Sequence, residues 1–455
     1  MLARHPKQRM FSSQNRSMPL LYHAACKSRL LCTVAYGKLN SESLTAPKVT
    51  FNRIIRRQRR IRVKVGSVNF LFGILQVVTL SLVSRTLDPA AALGFLHGHR
   101  SRDPDAKLMS GLRPARRINR RMRHFLTTED WTRPELQALL DSADQLRKNP
   151  VNQRLRGKSL ALLFLNPSMR TRASFEIGAF QLGAHAVVLE PGKAAWGIEF
   201  APGVVMDGDA EEHIIEVAGV LSRYCDAIGL RAFPLFKDWT EDRKDGVIKA
   251  LAAHSSVPVI NMETIVHPCQ ELALMRTIQD HIGAPDGKKF VLTWTWHPRP
   301  LNTAVANSAL LIASKFGMDI TLLIPDEAYL LDEKFMATAH EQSADSGGRI
   351  QVTEDIEQAY SGADFIYAKS WGALPLYGQP DAEAKLRAAF RHFMVDSEKM
   401  AMTNQARFSH CLPLRRNIKA SDEVMDADYC VAIDEAENRL HVQKALMSSL
   451  LSTND

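Results

Sequence analysis

Residues 159–191 read "SLALLFLNPSMRTRASFEIGAFQLGAHAVVLEP". Ser159–Leu165 is apolar and too short for a globular helix, so it reads as a buried strand. Two hydroxyls and two guanidinium groups follow at Ser168–Arg172. A helix is predicted over 172–182, with Phe175, Ala179 and Leu182 inward and Gly183 as its stop. "AHAVVLEP" is then a second strand. This alternation, repeated along the chain, implies a parallel sheet covered by helices on both faces.

Upstream, Thr132 and Pro134 open a helix carrying Leu136, Leu139, Leu140, Ala143 and Leu146 on one face. Downstream come a helix over 211–224, the strand "DAIGL", the helix "DGVIKALAAH" and the strand "VPVIN". "HIGAPDGKK" (281–289) clusters Gly, Pro and Asp and marks an interdomain junction. A second series begins near residue 288. Its expected strands are "KFVLTWT", "DITLLIP", "RIQVTE", "ADFIYA", "FMVD", "FSHCL" and "CVAID". Its helices fall near 302–315, 333–344, 380–391 and 435–450. The fold class is therefore α/β, with two domains over 122–280 and 281–455. Each is a parallel sheet flanked by helices, and the last helix crosses back to the first domain.

The 455 residues are 45% hydrophobic and 24% charged, which suits a soluble globular protein. The formal net charge of +9 hides an asymmetry. Residues 1–121 hold 24 Lys and Arg against 4 Asp and Glu, whereas the remaining chain holds 34 against 45. Two readings of the basic leader compete. Val65–Ser84 is an uncharged run behind "RRQRRIRVK", the pattern of a membrane anchor with its positive flank inside. Alternatively, residues 1–121 are disordered, or are upstream sequence read through from an early start codon, with Met122 the true beginning. The second reading is expected, because well-capped, patterned sequence begins at Met122. No nucleic-acid or membrane partner is expected for the body. Cys26 and Cys32 lie in the leader, and Cys225, Cys269, Cys411 and Cys430 lack zinc-like spacing. A reducing cytoplasm suits them.

Open α/β sheets bind ligands at the carboxyl ends of their strands. Ser168–Arg172, Arg231, His267, Gln270, Asn302, Lys369, Cys411 and Arg415 all fall there. The Ser168–Arg172 segment opens a helix, whose free N–H groups and dipole favour an anion. Arg170 adds a planar fork for phosphate oxygens, and Ser168 and Thr171 add hydroxyls. The spacing is not that of a nucleotide P-loop. Donors from Thr171, Arg231 and His267 could surround one carbonyl oxygen and stabilise an oxyanion. A phosphate cradle beside an activated carbonyl points to an acyl phosphate substrate. Each group also has a structural explanation: an N-cap serine, a salt-bridged arginine, a core histidine.

Three motifs in order, Ser168–Arg172, His267–Gln270 ("HPCQ") and His410–Arg415 ("HCLPLR"), resemble the signatures of the aspartate/ornithine carbamoyltransferase superfamily. The resemblance covers about residues 122–455 and none of the leader. It implies transfer of a carbamoyl group from carbamoyl phosphate to an amine, with no metal or organic cofactor. It also implies a homotrimer with sites shared between subunits. By similarity, Ser168, Met169, Arg170 and Thr171 hold the phosphate, and Arg231, His267 and Gln270 hold the carbamoyl group. Cys411 and Leu412 contact both substrates, and Arg439 in "DEAENRL" closes over carbamoyl phosphate. Cys411 is either an acid–base or a packing and orienting group, with the second preferred.

The sequence departs from the commonest members around the amine. "YAKSWGALPLYG" (367–378) stands where ornithine-specific members place an acid that grips the free α-ammonium. Lys369 would repel that ammonium but not a neutral amide. The resemblance therefore implies N-acetyl-L-ornithine as the amine, in arginine biosynthesis. Trp196 and Glu211, in "GKAAWGIEFAPGVVMDGDAEEH" (192–213), would come from a neighbouring subunit and line the acyl end. Glu263, Asn302, Lys369 and Arg415 would hold the amino acid, and Glu211 would repel a succinyl carboxylate. Lys419 is either carboxylated or a solvated surface lysine. Alternatives are transfer to ornithine or succinylornithine, a non-catalytic carbamoyl phosphate-binding paralogue, and a membrane-anchored scaffold resting on Val65–Ser84 alone.

Overall fold

The computed structural model describes residues 122–452. The leader, its apolar run Val65–Ser84 and both readings of it lie outside the described residues. Among the described residues no helix is long and apolar enough to cross a membrane.

Helix α1 spans Arg133–Lys148. Thr132 caps it, and the Glu135 carboxylate accepts from Thr132 N (2.8 Å), satisfying donors that a helix start leaves free. Its buried face is Leu136, Leu139, Leu140, Ala143 and Leu146, as their spacing requires. Then come β1 (Ser159–Phe164), α2 (Met169–Gln181), β2 (His185–Leu189), and a small ribbon of β3 (Gly197–Glu199) with β4 (Ala210–His213). Helix α3 (Ile214–Tyr224), β5 (Ala227–Arg231), α4 (Gly246–His254), β6 (Val259–Glu263) and α5 (Pro268–Ile282) complete the first half. The second half runs β7 (Lys289–Trp294), α6 (Ala304–Lys315), β8 (Asp319–Leu323), α7 (Glu333–Ser346), β9 (Arg349–Thr353) and β10 (Phe365–Lys369). It ends with α8 (Pro380–Arg387), β11 (Arg407–Ser409) and α9 (Ala432–Leu451).

Both main sheets are parallel. Their orders are β2-β1-β5-β6 and β11-β10-β7-β8-β9. Strand order reverses between β1 and β5 in the first sheet, and between β7 and β10 in the second. At such switch points the two outgoing connections diverge and leave a crevice beyond the carboxyl ends. β1 leads to Ser168, β5 ends at Arg231, and β10 ends at Lys369.

The apolar runs are continuous because both strand faces are buried. Leu160, Leu162 and Phe164 of β1 face a core shared with α1, α5 and α9. Ala161 and Leu163 face a second core with Ile214 and Val217 of α3 and Ile248 and Leu251 of α4. Helix α9 is made last, yet it packs on α1, α2 and α5 of the first half. Ala432, Val442, Ala445, Leu446 and Met447 are its fully buried apolar residues. Each large side chain among them contributes about 1.5–3 kcal/mol by leaving water.

Three expected elements differ. In "FMVD" (393–396), Phe393 ends a 3-10 turn (Ala388–Phe393) and Val395 makes a single bridge to Ala420. Its apolar residues serve packing, with Phe393 edge-on to Trp294 at 6.0 Å, and Asp396 then caps a short helix. "CVAID" makes one bridge, Cys430 to Phe408, and continues into the start of α9, where Val431 and Ala432 are buried and Ile433 and Asp434 are exposed. A run of four or five apolar residues cannot separate the two periods. The helix expected over 211–224 begins at Ile214, capped by the His213 ring. Ala210–His213 pairs instead with β3; acidic residues also favour a helix's first turn, so sequence does not distinguish the two.

Leu446 of α9 is fully buried. Leu446→Ala is expected to cost about 2–5 kcal/mol by transfer loss and cavity formation, read as the shift in unfolding free energy in urea.

Candidate active site

The tip of α2 is built by Ser168, whose extended backbone makes it the N-cap. Its Oγ accepts from Thr171 N (3.3 Å) and lies 3.0 Å from Thr171 Oγ1. The two guanidinium groups of the motif separate. Arg172 turns outward to Glu176 (3.1 Å) and lies 3.9 Å from Glu190. Arg170 is half-buried; desolvation lowers its pKa, and it feels Cys411, Arg231 and Glu263. It has no salt-bridge partner among the described residues. Met169 is exposed.

Arg231, at the end of β5, ion-pairs with Glu263 at the end of β6, and its guanidinium stacks over Phe233 at 4.6 Å. Its Nε finds no partner among the described residues. His267 Nε2 lies 3.4 Å from Glu263 and 3.1 Å from Arg439 Nη1. Burial, then the charges of Arg439, Arg231, Lys369 and Arg170, push the His267 pKa well down, so the ring is neutral. Arg439 comes from α9. Its Nη1 donates to Gln270 Oε1 and its Nη2 to Thr171 Oγ1 (3.3 Å). One buried guanidinium thus bridges the α2 tip and the start of α5.

The second sheet contributes the other wall. Lys369 ends β10 and is partly buried. Asn302 is committed to the backbone, donating to Thr264 O (2.7 Å) and accepting from Ala304 N (3.1 Å). Cys411 and Leu412 are partly exposed, Leu412 in the left-handed region at φ 46°. Arg415 is exposed. Lys419 is 2% exposed, so it is not a solvated surface lysine. Its Nζ lies 3.2 Å from His410 Nε2. Burial first, then Lys369 and Arg415, pull its pKa down to about 7, against the field of Cys411. His410 Nδ1 accepts from Leu412 N (2.9 Å). A neutral ring then carries its proton on Nε2, facing the lone pair of a neutral amine. Trp196 and Glu211 stand apart from this cluster. Both are exposed on the β3–β4 ribbon, where Trp196 Nε1 donates to Glu212 (2.6 Å).

Two residues that the motifs did not mark also belong here. His297 follows β7; burial, then Lys419, Arg415 and Lys369, lower its pKa to about 4, opposed by its hydrogen bond with the Arg299 backbone. Glu435 is fully buried one turn before Arg439 and takes hydrogen bonds from Gln270, Tyr367 and Ser409. The helical spacing of Glu435 and Arg439 was the available signal. Among the described residues no cluster of His, Cys, Asp or Glu could hold a metal ion.

Positive groups outnumber negative ones in this crevice. Among the described residues, Arg170, Arg231, Arg439 and Lys369 are set against two carboxylates, Glu263 and Glu435. Such a site favours a compact anion.

Residues 123–280 match the family model "Aspartate/ornithine carbamoyltransferase, carbamoyl-P binding domain", and 289–450 match "Aspartate/ornithine carbamoyltransferase, Asp/Orn binding domain". The chain is similar to the N-acetylornithine carbamoyltransferase of Xanthomonas campestris pv. campestris, with 63% identity over 72% of this chain and 98% of the relative. A crystal structure of acetylornithine transcarbamylase complexed with acetylcitrulline has a TM-score of 0.72 and 62% identity. That match covers 73% of this chain and 100% of the other. A point mutant of N-acetyl-L-ornithine transcarbamylase, complexed with carbamyl phosphate and N-succinyl-L-norvaline, matches equally well over 72% of this chain and 99% of its own.

Lys419 in the folded chain titrates near 7 rather than 10.5. Between those values the unfolded chain binds more protons, so this lysine makes stability rise with pH. From about pH 7 to about pH 9 the wild type is expected to gain about 1 kcal/mol per pH unit relative to Lys419→Met. Urea unfolding of both at each pH reads that difference.

Proposed function

The chain belongs to the aspartate/ornithine carbamoyltransferase family, and we propose that it transfers the carbamoyl group of carbamoyl phosphate to the δ-amine of N-acetyl-L-ornithine. The products are N-acetyl-L-citrulline and phosphate. One observation carries this reading: a helix tip whose arginine has no salt-bridge partner among the described residues, a neutral histidine and a buried bridging arginine share one crevice, where two sheets meet at their switch points.

The α2 tip, with Ser168, Met169, Arg170 and Thr171, holds the phosphate. Arg231, His267 and Thr171 take up charge on the carbamoyl oxygen, and Gln270 holds the carbamoyl nitrogen. Arg439 neutralises the mixed anhydride from below. The neutral δ-amine attacks the carbonyl carbon, so a C–N bond forms as the C–O bond to phosphate breaks. Phosphate leaves with the bonding pair and accepts the amine proton. The protein supplies proximity and charge stabilisation, with no covalent nucleophile. Cys411 and Leu412 pack against both substrates. Glu263, Asn302, Lys369 and Arg415 hold the amino-acid part. Lys369 disfavours a free α-ammonium, which supports an acylated amine over ornithine. Lys419 beside His410, its pKa pulled down to about 7, has far more of the neutral amine needed to add carbon dioxide as a carbamate than an exposed lysine has.

Trp196 and Glu211 complete the acyl end of a neighbouring subunit's site in a homotrimer, in the cytoplasm. The exposed apolar residues Met169, Ile177, Phe180 and Val187 support that assembly. Phe180 is 76% exposed, on α2 beside the edge strand β2. A monomer seldom leaves such a face open. Glu211 would repel a succinyl carboxylate, which favours the acetyl substrate.

The purified chain is expected to turn over N-acetyl-L-ornithine faster than ornithine or N-succinyl-L-ornithine, measured as ureido product. Equal or faster use of free ornithine would reject the specificity. Arg170→Gln should lower kcat/KM by about 10²–10³-fold. Co-assembling Arg170→Gln with Trp196→Ala chains should recover activity above either variant alone, because some sites then draw both intact residues from different subunits.

A further inference from the structure

Glu435 and Arg439 lie four residues apart on α9, so both side chains leave the same face. Their contacts with Gln270 are opposite in kind. Gln270 Nε2 donates to Glu435 Oε1, and Gln270 Oε1 accepts from Arg439 Nη1. A carboxylate accepts and a guanidinium only donates, so the amide has a single orientation between them. Glu435 is itself fixed by the second sheet. Tyr367 OH on β10 donates to its Oε1 (3.0 Å), and Ser409 Oγ on β11 donates to its Oε2. Gln270 and Glu435 are both buried, and these donors occupy the carboxylate. It therefore acts through Gln270 and not on a substrate.

The amide nitrogen of Gln270 is thereby turned towards Glu435. Its oxygen stays beside Arg439, whose two terminal nitrogens also reach His267 and Thr171. A carbonyl oxygen has two lone pairs, and Arg439 uses one. We propose that Glu435 is a positioning residue that fixes Gln270 as a hydrogen-bond acceptor in the carbamoyl pocket, so that the site selects an acyl phosphate carrying N–H over one carrying a methyl group. This rests on the carbamoyl-transfer reading above. Carbamoyl phosphate and acetyl phosphate have nearly the same shape, so packing separates them poorly. A buried acceptor left without its donor separates them well. Freed from Glu435, the amide could turn and offer N–H, which carbamoyl nitrogen cannot accept.

The test compares full-length wild type with Glu435→Met and Glu435→Gln. It reads KM for carbamoyl phosphate, Ki for acetyl phosphate as a competitive inhibitor, and thermal unfolding. Glu435→Met is expected to raise KM about 10–100-fold while leaving Ki within about threefold. Glu435→Gln, which keeps an acceptor oxygen of the same shape, should recover most of the discrimination. Should Glu435→Met fail to fold, the paired exchange Gln270→Glu with Glu435→Gln keeps an acceptor at position 270 and a donor at 435. That double variant is expected to discriminate, and Gln270→Glu alone to bind carbamoyl phosphate poorly. Parallel rises in KM and Ki, an unchanged KM in folded Glu435→Met, or a double variant without discrimination would each overturn the inference. These outcomes presuppose a wild type that makes ureido product; a wild type that makes none overturns the underlying reading as well.

Discussion

Arg439 is the contact on which the rest depends. Its guanidinium is buried, delivered by the last helix to the tip of the second. Thr171, Gln270 and His267 each meet one of its nitrogens. Burying a cation this completely is costly unless its hydrogen bonds are met and an opposite charge lies near. Here the nearby carboxylate, Glu435, is itself engaged by three donors. The balance leaves the crevice electropositive, a poor design for an empty core and a good one for a dianion. Apolar packing of α9 holds the cation in place: Leu446 and Val442 bury the helix, and the helix fixes the charge.

The parallel topology sets where these groups meet. Each sheet reverses its strand order once, and each reversal lies above one wall of the crevice. The first sheet supplies rigid donors from strand ends and the α2 tip. The second supplies Lys369, His297 and the segment from His410 to Lys419. Burial, with the neighbouring cations adding to it, has a chemical result: the His410 ring is neutral, Lys419 gives up its proton near pH 7, and the two face each other at 3.2 Å.

Much of this was legible in the residues. Strand and helix alternated visibly because strands buried on both faces carry uninterrupted apolar runs, as in "LALLF" and "AIGL". The capped tip of α2 was legible because a serine N-cap followed by Arg170 and Thr171 is a local pattern. Long-range pairings were not. Nothing local to Gln270 says that Glu435 will lie against it, 165 positions away. The burial of Lys419 depends on a bridge from Val395 to Ala420, which pairs segments that neither periodicity nor turn signals connect. "CVAID" misled for a related reason: Val431 and Ala432 are buried but Ile433 is 70% exposed, and an apolar run this short does not show which period it follows.

The order of synthesis runs against the order of packing. Helix α9 leaves the ribosome last, yet it fills the groove formed by α1, α2 and α5, which emerge first. The nascent amino-terminal half must therefore wait with an uncovered hydrophobic furrow while more than a hundred further residues are translated. In that interval it is open to self-association and to chaperone capture. Maturation is thus a race between elongation and aggregation, ended only when the final turns arrive.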